Sequence, residues 1–186
     1  MKSGADGNDA VEQILRQWAV ERPDLDVSAM GVFGRLSRAA RMLDRLLAQT
    51  FGRYGLNGGE FDVLAALRRA GEPYGLTPTD LYRSMMLSSA AMTNRIDRLE
   101  ERGLVAREPD PDDRRGVRIR LTTEGLELIE DAVTAHVEGE ERLLDALSEE
   151  ERQHLAGMLG KLMFSMQARQ QAETHSSEDT GYTESG

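Results

Sequence analysis

Apolar residues recur along the chain with two periods. Val11, Ile14, Leu15 and Trp18 fall on one side of a helix over Asp9 to Arg22, which Pro23 closes. From about Ser28, read as an N-cap, Leu36, Ala40, Leu43 and Leu47 stripe a long helix that Gly55 and Asn57-Gly58-Gly59 break. Three shorter helices follow: Glu60 to Arg69, carrying FDVLAAL; Thr79 to Met86, opened by Thr77-Pro78; and a segment capped by Ser88 that runs to Arg102 and stops at Gly103. The period then drops to two. Leu104 to Glu108 and Val117 to Leu121 alternate like strands around the charged, turn-rich PDPDDRRG, which predicts a hairpin. Thr122 caps another long helix with Leu126, Ile129, Val133, Val137, Leu144 and Leu147 on one side, and Ser148 starts a last one with Leu155, Leu159, Leu162 and Met166.

The expected fold is therefore mainly α with a small β-hairpin wing: a winged helix-turn-helix between long N- and C-terminal dimerisation helices. The divisions are 1–8 as a disordered N-terminus, 9–54 as N-terminal helices, 55–122 as the winged helix-turn-helix, 123–171 as C-terminal helices and 172–186 as a disordered acidic tail. A second helix followed at once by a charged hairpin can enter a major groove while the hairpin tip reaches the neighbouring minor groove. At ~100° per residue, Met92, Ile96 and Leu99 share one face and must pack inward. Ala90, Thr93, Asn94 and Asp97 then point outward, and Ser88 and Ser89 sit at the amino end, where free N–H groups favour phosphate.

Charge qualifies this picture without reversing it. The net charge of −10 is unusual for a duplex-binding chain. Between Arg83 and Arg120, however, nine arginines face seven acids, a local +2, so the rest carries −12. Only Lys2 and Lys161 are lysines among 23 basic residues, so cationic contacts fall to arginine, which alone can bind phosphate and guanine bidentately. No cysteine is present, which excludes disulfides and thiolate metal sites. No apolar run reaches the ~20 residues of a membrane helix, and MKSGADGNDAVEQ lacks a signal-like apolar segment, so a cytoplasmic protein is expected. Enzymatic features are sparse: His136, His154 and His175 are scattered, His136 and Glu140 at i, i+4 are a bare metal pair, and no phosphate loop or nucleophile motif occurs. Neither cofactor nor metal is expected.

The stretch TNRIDRLEERGLVAREPDPDDRRGVRIRLTTEG resembles the signature of MarR-type regulators: recognition helix, "GLV-x-R" strand, "D-x-R" wing and "LT-x-EG" helix start. The likeness spans roughly residues 30–168. It implies a homodimer on a palindromic double-stranded operator, repression relieved by a small ligand, and a wing in which Asp113 orients Arg115, beside Arg114, for a narrow minor groove. The added helix with Trp18 further resembles the branch that responds to urate and related metabolites. That likeness implies an anion site of Trp18, Asp62, Arg95 and Arg107. Arg95 lies ~60° from Met92, on the flank of the buried face, so it needs Asp62 or an anionic ligand as partner. Asp62 serving a helix end, Arg95 in a structural ion pair, Trp18 as plain core, and a winged helix used for protein contacts stay open as alternatives.

Overall fold

A computed structural model describes residues 9–85, 89–111, 113 and 115–179. The chain divides after Val137 into two compact units. The order of elements is α1 (Ala10–Glu21), α2 (Ser28–Gly52), α3 (Gly58–Arg69), β1 (Gly75–Leu76), α4 (Pro78–Met85), α5 (Ser89–Glu101), β2 (Val105–Pro109), β3 (Val117–Leu121), α6 (Thr123–Leu143) and α7 (Glu149–Asp179). The fold is that of a winged helix with flanking helices, as the periodicities predict.

The core of the first unit gathers around α3. Its run Phe61, Val63, Leu64, Ala65, Ala66 and Leu67 is buried almost all round, because α4, α5, the sheet and α6 cover it from different sides. Leu81, Leu99, Ile119 and Ile129 are each fully buried and come from four of those elements. Burying such side chains stabilises by roughly 1.5–3 kcal/mol apiece, so these four tie the helix-turn-helix to the wing. The inward face read from the sequence is correct: Met92, Ile96 and Leu99 are buried.

Local chemistry sets the element ends. Asp9 caps α1 by accepting from Val11 N–H at 3.0 Å. Asn57 and Glu60 form a reciprocal capping box at the start of α3. Thr77 Oγ1 accepts from Asp80 N–H at 3.1 Å ahead of α4, and Ser148 and Glu151 repeat the reciprocal pattern before α7.

Four readings need correction. Ser28 is the first residue of α2 and not its cap; its N–H donates to Asp26 Oδ1 at 2.9 Å. Gly58 and Gly59 do not break structure but open α3, since Asn57 supplies the cap. A third strand, β1, pairs antiparallel with β3 (Gly75 opposite Arg120), giving the sheet order β1-β3-β2; two residues are too few to show alternation. Finally, α7 continues through Asp179, so the acidic stretch from 172 is helical that far, and Leu144 and Leu147 lie in the turn before α7. Residues 1–8, 86–88 (Ser88 among them) and 180–186, together with Asp112 and Arg114, fall outside the described residues.

The wing joins the next helix closely. Thr122 Oγ1 donates to Gly103 carbonyl at 2.7 Å and accepts from Gly125 N–H at 3.0 Å. A Cβ on Gly125 would lie 2.8 Å from the Leu104 carbonyl carbon, so only glycine lets α6 begin there.

Candidate nucleic-acid interface and ligand site

The outer face of α5 presents Thr93, Asn94 and Asp97 to solvent, opposite Met92 and Ile96. Ser89 and Ala90 open the helix. Beside Thr93, the exposed Tyr82 of α4 helps line a hollow of about 260 Å³ with Pro78, Thr79, Met92 and Ile96. Tyr82 was not picked out from the sequence, because α4 is too short for its outward face to be distinguished by periodicity.

The wing pairs β2 and β3 from Val105 opposite Leu121 to Pro109 opposite Val117. Its tip is turned by Asp113, whose Oδ1 accepts from Arg115 N–H at 2.9 Å and whose carbonyl accepts from Gly116 N–H at 2.8 Å. Asp113 thus orients the Arg115 backbone rather than its guanidinium, and Arg115 is exposed at the tip. Where the strands enter the tip turn, Asp110 is only 8% exposed and accepts from Arg118 Nη2 at 3.1 Å. Sequence reading missed this pair, since seven of the eight residues of PDPDDRRG are charged or proline and none stands out.

Arg95 turns away from that outer face. Its guanidinium rests on the start of α3 against Gly59, where a Cβ would meet Nη2 at 2.7 Å, with Cζ and Nε nearer still. Arg95 Nη1 is buried and, among the described residues, has no hydrogen-bond partner. Asp62 lies three residues beyond Gly59, on the same face of α3. Partial burial pushes the Asp62 carboxyl above its ordinary 3.8, against the opposing pull of Arg95, Arg69 and His136. His136 of α6 packs its ring on Phe61 at 5.0 Å and Phe51 at 5.5 Å, which themselves stack at 4.2 Å. The site therefore combines a half-buried cation with one buried nitrogen, unbonded among the described residues, a destabilised carboxylate and, behind them, a buried aromatic cluster edged by His136.

Two of the four residues expected there are placed elsewhere. Arg107 on β2 pairs with Asp97 and Glu100. Those acids fall ~140–200° around α5 from Arg95, so Arg107 grips the other side of the recognition helix. Trp18, 40% exposed, sits on α1, which packs antiparallel on the first part of α2, Val11 against Gly34 and Leu15 against Gly31. That trend puts Trp18 near residue 28, whereas Phe51 lies roughly 35 Å further along the helix at 1.5 Å per residue. The wheel fixes a side chain's face but not which acid captures an arginine, and no local pattern reports where a separate helix docks. Among the described residues no three metal-ligating side chains cluster, and no helix is long and apolar enough to cross a membrane.

An outward helix on a three-stranded wing, with a charged tip, defines a winged-helix DNA-binding regulator. Residues 54–116 match the model of the MarR family. PecS, an HTH-type transcriptional regulator of Dickeya dadantii, is 46% identical over 152 residues, 82% of this chain and 92% of PecS. A mutant MarR from Escherichia coli complexed with operator DNA matches with TM-score 0.62 and 28% identity over 78% of this chain and 96% of that one. Bordetella bronchiseptica BpsR, whose structure concerns regulation of DNA binding by 6-hydroxynicotinic acid, matches with TM-score 0.63 and 30% identity over 71% of this chain and 92% of that one. The chain belongs to the MarR family and is a DNA-binding transcriptional regulator, not an enzyme.

Proposed function

We propose that this regulator binds a palindromic operator as a homodimer, represses from it, and is released by a small planar anion that pairs with Arg95. One observation carries the ligand reading. Arg95 is rooted in the recognition helix, yet its Nη1 is buried with no hydrogen-bond partner among the described residues, and a charged donor left unsatisfied is costly. An anion that satisfies it draws on the helix that reads DNA, so ligand and operator weaken each other by equal factors. The half-buried His136 ring, backed by Phe51 and Phe61, favours a flat, aromatic anion: urate, a related purine, or an aromatic carboxylate of the kind named for BpsR. Asp62 repels an incoming anion until it moves or takes a proton, which its raised carboxyl eases. Arg107 is committed to Asp97 and Glu100, and Trp18 belongs to such a site only if a second subunit supplies it.

The DNA face comprises Ser88, Ser89, Ala90, Thr93 and Asn94 at the major groove and Asp113, Arg114 and Arg115 at the wing. Dimerisation is supported by exposed apolar side chains on both sets of flanking helices, among them Val32 and Phe33 on α2 and Met163 and Phe164 on α7.

The test is release of a selected duplex by urate and by 6-hydroxynicotinate. Wild type should lose the duplex at saturating anion, and Arg95→Ala should need at least about tenfold more, the loss of one charge-assisted contact. Equal release from both proteins would move the ligand away from Arg95.

A further inference from the structure

We infer that Gly59 is the seat of the Arg95 guanidinium, and so a positioning residue for the recognition helix. Gly59 is the second residue of α3, and its backbone does not explain it. Positive φ occurs among the described glycines at Gly55, Gly71 and Gly103 only. Inside a helix glycine is a poorer choice than alanine, because it loses more freedom on folding. What the position does need is bareness. A Cβ there would lie 2.7 Å from Arg95 Nη2 and nearer still to Cζ and Nε, closer than carbon and nitrogen can pack without bonding.

The seat joins the two helices that matter. Arg95 follows Met92 and precedes Ile96 on α5, both buried against the core that α3 dominates. The guanidinium therefore fastens the middle of the recognition helix to the amino end of α3. The fastening is poised rather than tight. The amino end of a helix carries partial positive charge, which disfavours a cation above it. The nearest acid on that face is Asp62, one turn on, which acts on Arg95 through space without forming an ion pair. Nη1, buried and unbonded among the described residues, adds to the imbalance. Arg95 is thus held by shape, by the hollow that a missing side chain leaves, and an anion offering hydrogen bonds competes with a weak hold.

A methyl at 59 should evict the flexible end of Arg95 while leaving every charge in place. The seat itself is independent of which anion binds; only its use in effector release rests on the function proposed above. A double-mutant cycle of wild type, Gly59→Ala, Arg95→Ala and the double variant separates the two. Each protein is unfolded chemically, and titrated with a duplex selected by wild type from random sequence. With Arg95 present, Gly59→Ala should change operator affinity by at least about fivefold and should forfeit the gain in folding constant that alanine otherwise brings within a helix. With Arg95 removed, the same change should raise the folding constant about two- to fivefold, as alanine replaces glycine in a helix, and leave operator affinity unaltered. If Gly59→Ala alone is unfolded, recovery of a folded protein in the double variant gives the same result, and a double variant that stays unfolded overturns the seat. Equal effects of Gly59→Ala in both backgrounds also overturn it. A strong cycle in a protein that neither urate nor 6-hydroxynicotinate releases from DNA would leave the seat standing and remove the effector reading.

Discussion

Asp110 and Arg118 close the hairpin just below the tip turn of the wing: the buried carboxylate of Asp110 accepts from Arg118 Nη2 at 3.1 Å across the hairpin, while Asp110 N–H donates to Gly116 carbonyl at 3.0 Å. Breaking a buried pair leaves one charge without its partner, which is costlier than never having had the pair. Asp110→Ala should destabilise the chain by about 1–3 kcal/mol and weaken operator binding, because the tip loses its fixed root. Denaturant midpoint and DNA titration read the two effects. Unchanged affinity at lowered stability would show that the wing's posture does not matter to DNA.

Arg115 stands at the exposed tip. Arg115→Ala should weaken operator binding and lower the salt slope by about 1 per subunit, as one phosphate-side cation is lost. Titrations between low and moderate salt measure it; an unaltered slope in a folded protein would remove Arg115 from the interface.

Asp62 gives a pH dependence with a definite sign. Its carboxyl is raised above 3.8 by partial burial, so the folded state favours the protonated form. Its contribution to stability is therefore present below 3.8 and lost as pH rises through the higher folded value. Asp62→Asn should be the more stable protein at neutral pH, and the difference should vanish at acid pH below 3.8. Denaturation curves across that range decide it; a constant difference would mean that the carboxylate's ionisation is not involved.

Phe164 on α7 is 74% exposed in the single chain. A large aromatic left to water is worth roughly 1.5–3 kcal/mol when covered, so an interface is its expected setting. Phe164→Glu should shift the assembly toward monomer in sedimentation while the helical signal stays. A dimer of unchanged affinity would place Phe164 outside the contact.

Much of this was readable from the residues. Period 3.6 placed the helices, and the wheel correctly buried Met92, Ile96 and Leu99 while turning Thr93 and Asn94 outward. Arg95 was legible as an inward-leaning cation in need of a partner. The two-residue β1 was not, since its partner strand lies far along the chain and pairing leaves no local trace. Nor was the capture of Arg107 by Asp97 and Glu100, which depends on how β2 crosses α5. The roughly 35 Å along α2 between the docking point of Trp18 and Phe51 was hidden for a related reason: sequence gives the length of α2 but not where along it α1 lies. Gly59 looked like a helix breaker because an empty side chain reads alike whether it frees the backbone or makes room.

The contact between Gly125 and Leu104 has a mechanical meaning. With the first turn of α6 pressed on the root of β2, and Thr122 bonded to both sides, there is no slack where helix meets wing. The joint therefore couples the two elements: a rotation of α6 would be passed to the root of the hairpin. Over the length of β2 and β3 such a rotation would grow into a displacement of the Arg115 tip, so a modest turn of one helix would re-aim the wing.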